Sequence, residues 1–599
     1  MPVDFNFMVG GEAGQGVQSV GFLLAKAFAR GGYHIFSDQD YESRIRGGHN
    51  FSRVRVGDDR IGAITESVDI LIALNRDSIE LHQTEMADGG VIIFNGEKVK
   101  DIGSNGSLFS IPLERLAREK AGDKVVSNTV ALGAALALVD YDREILNTVL
   151  IEYFGRGKIA DGNIAAADAG YEYAKAEYRG EIRHLKPIST IKRMLLNGNE
   201  AISLGAIAAG CKFMSAYPMT PASPIMEYMA AKSEALDLVM VHAEDEIAAI
   251  NMAIGASYAG VRAMTATSGS GFCLMVEGLG LAGITETPLV IIDGQRPGPA
   301  VGLPTRTEQG DLQFVLHAHH GDFPRAVIAP ADVEDAFWVT ARAFNWAEKY
   351  QLPVIILTDH HLATSYATVE PFDLGQVTID RGLLFSSRDE EPSEYMRHRV
   401  TESGISPRAL PGLSKALVVT DCDEHNEEGH LTEDAGERTL QVQKRLRKLS
   451  SLKQEISTPR QYGPQKAETT LIGWGSTYGA IHEAVDILRK EGASINMLHL
   501  SELWPFPAEA VADALSIARN SYVIENNATG QLARLIKTET GKDVSGKILK
   551  FDGRPFTPAH IAEAVRKEAV KDGDNVRLCR PSTDVVSGLR QFRHPESVK

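Results

Sequence analysis

Apolar and polar positions along the chain fall into three rhythmic stretches separated by irregular ones. The first opens with the strand-like "FNFMV", passes through "GGEAGQGV" and enters the helical "QSVGFLLAKAFARGG". A strand, a glycine turn and a helix in that order are the layout of phosphate-cradling α/β units. The apolar strands "VDILIAL" and "GGVIIFN" follow, and charged helical sequence closes the stretch. The pattern predicts an α/β domain over residues 1–183, with "RHLKPISTIKRMLLNGNE" as a linker over 184–200.

Over 201–368 strands and helices alternate regularly. The strands are "CKFMSAY", "LDLVMVHA", "VRAMTAT", "TPLVIIDG", "PRAVIAP" and "QLPVIILTD". Near-continuous apolar strands with helical crossovers predict a parallel, doubly wound sheet covered on both faces. Over 369–465 the rhythm degrades. An acidic run there gives way to a charged helix, read as a connecting excursion whose helix faces solvent or packs on a neighbour. The α/β rhythm resumes over 466–599 with "TTLIGWGS", "GAIHEAVDILRKEGA", "SINMLHL" and "SYVIENN", predicting a smaller doubly wound domain.

Composition narrows the class. At 599 residues, a prior of about 150 residues per domain gives roughly four domains. The net charge of −17 argues against nucleic acid or an anionic membrane as partner. Cys211, Cys273, Cys422 and Cys579 are scattered, and such spacing builds neither a zinc nor an iron–sulfur site. With no signal peptide and no apolar run near 18 residues, a cytoplasmic location is expected.

The chemistry concentrates at "AYPMTPASP", which follows the first strand of the central domain. Ligands of open parallel sheets bind at the carboxyl ends of strands. Pro218 and Pro221 bias Tyr217 and Thr220 toward extended backbone, so the Thr220 hydroxyl is held at a fixed angle. Ser223 suits a helix N-cap with Pro224 at the first helical position. One strand later, Glu244, Asp245 and Glu246 open the small-residue helix "IAAINMAIGASYAG". Acidic residues in a first turn complement the helix dipole. The helix is apolar on most faces and expected to be buried, so a carboxylate at its mouth could also share a proton with a ligand nitrogen.

Taken together, "YPMTP", "EDEIAAINMAIGASYAG", "TATSGSGFCLMVEGLGLAG", "GLPTRTEQGDL", "GGEAGQGV", "RIRGGHN", "GWGSTYGAIHEA" and "ENNATGQL" resemble, in order, the α subunit of the 2-oxoacid:ferredoxin oxidoreductases in its fused γ–α form. The resemblance covers essentially the whole chain. It implies a multi-domain α/β fold. A thiamine-diphosphate domain of the pyrimidine type lies between an N-terminal γ-type domain and a C-terminal transketolase-C-like domain. The implied reaction is the coenzyme A-dependent oxidative decarboxylation of a 2-oxoacid, with electrons passed to ferredoxin. The fused order favours 2-oxoglutarate; pyruvate, a branched-chain 2-oxoacid or broad specificity are the alternatives.

The resemblance also assigns roles. Glu246, rather than Glu244, is the carboxylate facing the aminopyrimidine. Thr220 touches the 2-oxoacid or the pyrimidine amino group, with Tyr217 of the same loop at the substrate and Pro218 and Pro221 at the cofactor. Arg306 pairs with the substrate carboxylate, since a guanidinium fork matches a carboxylate. Gly10, Gly11, Gly14 and Gly16, with Arg44, Arg46 and His49, are candidates for the diphosphate or pantetheine arm of coenzyme A, against a purely structural turn and interface loop. His360 and His361 are expected to point apart and to bind no metal. The chain lacks the Gly-Asp-Gly motif that holds magnesium on the cofactor diphosphate. A β subunit is therefore expected to bring the diphosphate half, Mg2+ and a [4Fe-4S] cluster, in a dimer of α–β pairs. Two rival readings remain: a non-redox thiamine-dependent carboligase subunit, and a non-catalytic nucleotide-binding scaffold subunit.

Overall fold

Each rhythmic stretch of the chain builds a sheet of its own. The computed structural model describes residues 3–43, 47–100, 107–189, 191, 193–385 and 394–571. In the first sheet Asp4–Ala13 is central. It runs parallel to Val68–Ala73, which continues in parallel to Met86–Asn95 and Ser107–Ile111. On its other side it pairs antiparallel with Gly47–Gly57, which pairs with His34–Asp40. The helices Val17–Arg30 and Ser127–Leu138 are apolar and buried within this domain.

The central sheet has the order Glu502–Trp504, Ala326–Ile328, Pro353–Asp359, Leu289–Gln295, Ala263–Thr267, Phe213–Ala216, Val239–His242. Every pairing is parallel except that of Glu502–Trp504. Alternate residues of one strand enter opposite cores: Val290 and Ile292 face one, Leu289 and Ile291 the other. That two-faced burial is why the inner strands read as continuous apolar runs, whereas Val239–His242 at the sheet edge has no buried residue. The third sheet, built on Thr469–Trp474, shares the second of these cores through Ile472 and Trp474.

Two boundaries differ from expectation. Met194–Asn197, inside the supposed linker, and Tyr366–Val369, at the end of the central stretch, pair with each other and extend the first sheet. Glu502–Trp504, from the C-terminal stretch, adds an antiparallel edge to the central sheet. Strand exchange of this kind welds the three units together.

The charged helix Ala435–Lys453 is likewise not a solvated rod. Lys444 and Lys448 are fully buried on it, and both lie on the fully buried Glu286, Lys444 at 2.5 Å. His398 Nδ1 lies 3.0 Å from the same carboxylate. Burial pulls Lys444 down to about 8 and Lys448 to about 7, while the two ammoniums hold Glu286 well below the usual carboxylate range. Among the described residues, no helix is long and apolar enough to cross a membrane.

Candidate functional site

Tyr217 to Ala222 leave the carboxyl end of the strand Phe213–Ala216, as open parallel sheets require of a ligand loop. Prolines alone do not hold this loop. Asn199 Nδ2 donates to the Pro221 carbonyl at 2.9 Å, and Arg296 Nη1 donates to the Thr220 carbonyl at 2.9 Å. A Cβ on Gly294 would come within 3.0 Å of the Pro221 ring, so the neighbouring strand needs glycine there to admit it. The Thr220–Pro221 peptide is cis. Ser223 does not cap the next helix as expected. The helix begins at Ser223 itself, with Ala222 at the N-cap and no side-chain cap bond; Pro224 sits in the first turn.

At the next helix the three acids separate. Asp245 is the N-cap, and its Oδ1 accepts from Ala248 N at 2.7 Å. Glu244 is exposed. Glu246 is only 4% exposed, and its side chain makes no hydrogen bond among the described residues. A Cβ on Gly271 would lie 2.2 Å from Thr267 Oγ1 and 2.5 Å from Glu246 Oε1. The carboxylate is therefore wedged between the end of the strand Ala263–Thr267 and the first turn of the helix Gly269–Ile284. With no partner among the described residues, the carboxylate is free to accept a hydrogen bond from a ligand. Asp245→Ala is expected to lower stability by about 1 kcal/mol through the lost cap. Denaturant unfolding would register it as an earlier midpoint with unchanged slope.

The helix behind Glu246 is not wholly buried, contrary to expectation. Ile247 is 50% and Met252 43% exposed, and Leu274 on the neighbouring helix is 50% exposed. Ile247, Met252 and Leu274 thus leave apolar surface exposed on the two helices whose first turns flank the carboxylate.

Further groups at the same sheet edge were not anticipated from the sequence. Arg296 is buried, and besides Thr220 it reaches Ser270 Oγ at 3.5 Å. Asp293, on the last turn of the strand Leu289–Gln295, is fully buried with both carboxylate oxygens unpartnered. Burial and Asp311 raise it well above the ordinary range, and burial raises Asp311 to about 6 and Glu308 to about 7. The available signal was a charge at the carboxyl end of an apolar parallel strand, in "VIIDGQR".

Arg306 is engaged elsewhere than expected. It pairs with Asp40 at 3.0 Å and donates to the Tyr41 carbonyl at 2.7 Å, so it joins the central domain to the N-terminal one. Arg554 shares Asp40 at 3.0 Å. Arg306 and Arg296 both lie within electrostatic reach of His360, which burial, then His361 and the two guanidiniums, push down to about 3. His360 and His361 begin a short helix rather than ending a strand, and they do point apart. His360 approaches Tyr41 Oη at 3.2 Å, whereas His361 approaches Ser365 Oγ at 3.3 Å.

In the N-terminal domain Gly10 and Gly11 are strand residues, not turn residues. Side chains of Ser78 and Gln15 crowd them, at 2.8 Å and 2.7 Å from where a Cβ would stand. Only Gly14 and Gly16, with φ of 93° and 77°, form the turn. His49 Nε2 lies 2.7 Å from His82 Nε2, and burial with that neighbour pushes His49 down to about 4. Arg44 and Arg46 lie outside the described residues. Among the described residues no three His, Cys, Asp or Glu side chains converge as a metal site.

Family models match this chain in each of its three α/β units. Residues 204–444 match the family described as "Pyruvate flavodoxin/ferredoxin oxidoreductase, thiamine diP-bdg". Residues 6–173 match "Pyruvate ferredoxin/flavodoxin oxidoreductase", and residues 467–561 match "Pyruvate:ferredoxin oxidoreductase core domain II". The 2-oxoacid:ferredoxin oxidoreductase subunit alpha of Sulfolobus sp is 35% identical over 95% of this chain and 97% of that one. The 2-oxoglutarate oxidoreductase subunit KorA of Mycobacterium tuberculosis is 29% identical over 93% of this chain and 90% of its own length. A solved 2-oxoglutarate:ferredoxin oxidoreductase from Magnetococcus marinus, with 2-oxoglutarate, coenzyme A and succinyl-CoA bound, superposes with a TM-score of 0.87. It is 33% identical and is covered over 99% of its chain and 94% of this one.

Proposed function

The chain belongs to the 2-oxoacid:ferredoxin oxidoreductases as an alpha subunit, and from that premise we propose that it supplies the pyrimidine-facing half of a composite thiamine diphosphate site for coenzyme A-dependent 2-oxoacid decarboxylation. The observation that carries this reading is Glu246, buried, unpartnered and wedged beside Thr267 and Gly271. Those residues fit the group, because a protonated ring nitrogen is the partner such a carboxylate lacks. Thiamine diphosphate, when bound, would supply the carbon nucleophile that 2-oxoacid decarboxylation needs.

The chain's own residues then divide the work. Glu246 holds the proton it shares with the ring nitrogen. Thr220, on the loop clamped by Asn199 and Arg296, orients the 2-oxoacid or the ring amino group, with Tyr217, Pro218 and Pro221 walling the loop. Arg296 takes the carboxylate role expected of Arg306, since it donates to the Thr220 carbonyl whereas Arg306 is committed to Asp40. Arg306 instead sets the N-terminal domain against the site. Gly14 and Gly16, with Arg44 and Arg46, are proposed to receive coenzyme A.

A β subunit is proposed to cover the stripe of Ile247, Met252 and Leu274 and to bring the diphosphate half, Mg2+ and a [4Fe-4S] cluster. Ferredoxin is the proposed acceptor, and the assembly a dimer of α–β pairs. The named substrates of the Mycobacterium and Magnetococcus relatives support 2-oxoglutarate.

The chain expressed alone is expected to hold no iron and to show no 2-oxoacid-dependent viologen reduction. Co-expressed with its β subunit, it should form succinyl-CoA from 2-oxoglutarate faster than acetyl-CoA from pyruvate. A cluster and activity in the isolated chain would overturn the composite site. A co-expressed complex that joins carbon skeletons but reduces no viologen would support the carboligase reading instead.

A further inference from the structure

Arg325 presents a problem that the decarboxylation site does not explain. It is 2% exposed, and no carboxylate lies within ion-pair distance of it among the described residues. Its Nη1 donates to the carbonyls of Val315 and Ala318, at 2.9 Å and 3.3 Å, while its Nη2 is buried without any partner. The guanidinium lies over the Phe323 ring, 4.4 Å from the centroid. Burial alone draws it down to about 10; no nearby acid opposes the effect. A charge taken out of water without a counter-charge is strongly unfavourable. Elsewhere in the fold the buried Lys444 and Lys448 solve that problem with Glu286.

Arg325 forms part of the wall of a cavity of about 250 Å³. Leu449 of the helix Ala435–Lys453, Trp504 at the edge of the central sheet and Leu535 of the C-terminal domain supply its apolar walls. His317 and His319 line it too, as do two acids, Asp322 and Glu539, neither of which reaches the guanidinium. The place is distinct from the decarboxylation site. Arg325 immediately precedes the strand Ala326–Ile328, so it stands at the amino edge of the parallel sheet, opposite the edge carrying Thr220, Glu246 and Arg296.

We propose that this cavity binds a small oxyanion, a carboxylate or a phosphate, through the free side of the Arg325 fork, with any apolar body of the ligand against Leu449, Trp504 and Leu535. A planar guanidinium with an unused N–H edge is the protein's best match to either oxyanion. The size suits a metabolite smaller than a drug-sized ligand.

The test titrates benzoate and inorganic phosphate separately into the full chain by isothermal titration calorimetry. At least one is expected to bind at a single site. Benzoate alone identifies a carboxylate ligand with an apolar body, and phosphate alone a phosphate ligand. Arg325→Met should weaken that binding about tenfold or more, equivalent to about 1.4 kcal/mol. Thr538→Trp, which fills the mouth and leaves the guanidinium in place, should abolish it without loss of stability. The proposal is overturned if neither anion binds at millimolar concentration, or if binding survives Thr538→Trp unchanged. In that event Arg325 serves only the carbonyls of Val315 and Ala318.

Discussion

Glu246→Gln is expected to slow turnover of the reconstituted complex by about 10²- to 10⁴-fold, the range for loss of a positioned proton-transfer group. Glutamine keeps the size and one acceptor oxygen but cannot hold the shared proton. The fold should survive, since the wild-type carboxylate is 4% exposed and unpartnered within the chain. A neutral amide there removes a buried charge rather than breaking an ion pair. Glu244→Gln is the control. Glu244 is exposed, and surface substitutions of this kind are usually within about 0.5 kcal/mol of neutral. Steady-state viologen reduction with 2-oxoglutarate separates the two variants, and calorimetric titration of thiamine diphosphate shows whether cofactor affinity fell as well. Should the two variants exchange rank, the assignment along this helix is wrong.

Arg296→Ala should lower kcat/KM by about 30-fold to several thousand-fold. That corresponds to the 2–5 kcal/mol at stake when one partner of a desolvated, hydrogen-bonded charge pair is truncated, at about 1.4 kcal/mol per decade. The 2-oxoacid carboxylate must be held while the carbonyl carbon is attacked, then released as carbon dioxide. A bidentate fork provides orientation as well as charge, so Arg296→Lys should recover only part of the loss. Pyruvate and 2-oxoglutarate share the same head, so both should lose similar factors. Loss confined to 2-oxoglutarate would move Arg296 to the distal carboxylate. Arg306→Ala should cost less in kcat/KM, because its 3.0 Å partner is Asp40 of the N-terminal domain. The reverse order, with Arg306→Ala the worse variant, would restore the sequence-based expectation.

Local periodicity carried much of what could be read in advance. The inner strands of the central sheet stand where their apolar runs lie, because a strand buried on both faces shows a continuous apolar run. The Thr220 loop stands at the carboxyl end of one such strand, and Glu246 opens the following helix. Both follow from strand-then-helix order, which is itself a property of neighbours in sequence.

What the sequence could not decide was what each face meets. A pattern assigns residues to one side of their own element, while burial depends on a partner far along the chain. Lys444 looks solvated in a charged helix; it is buried because Glu286 waits for it 158 positions away. Arg296 and Arg306 look alike in one loop, yet one closes on Thr220 across 76 positions and the other on Tyr41 across 265. The strands that cross between sheets were hidden for the same reason, since backbone pairing leaves no trace in the side chains of a three- or four-residue strand. Sequence alone thus determined the α/β class and the places of the Thr220 loop and of Glu246 along it. Only long-range packing decided which arginine touches that loop, because desolvation and ion pairing are set by neighbours in space.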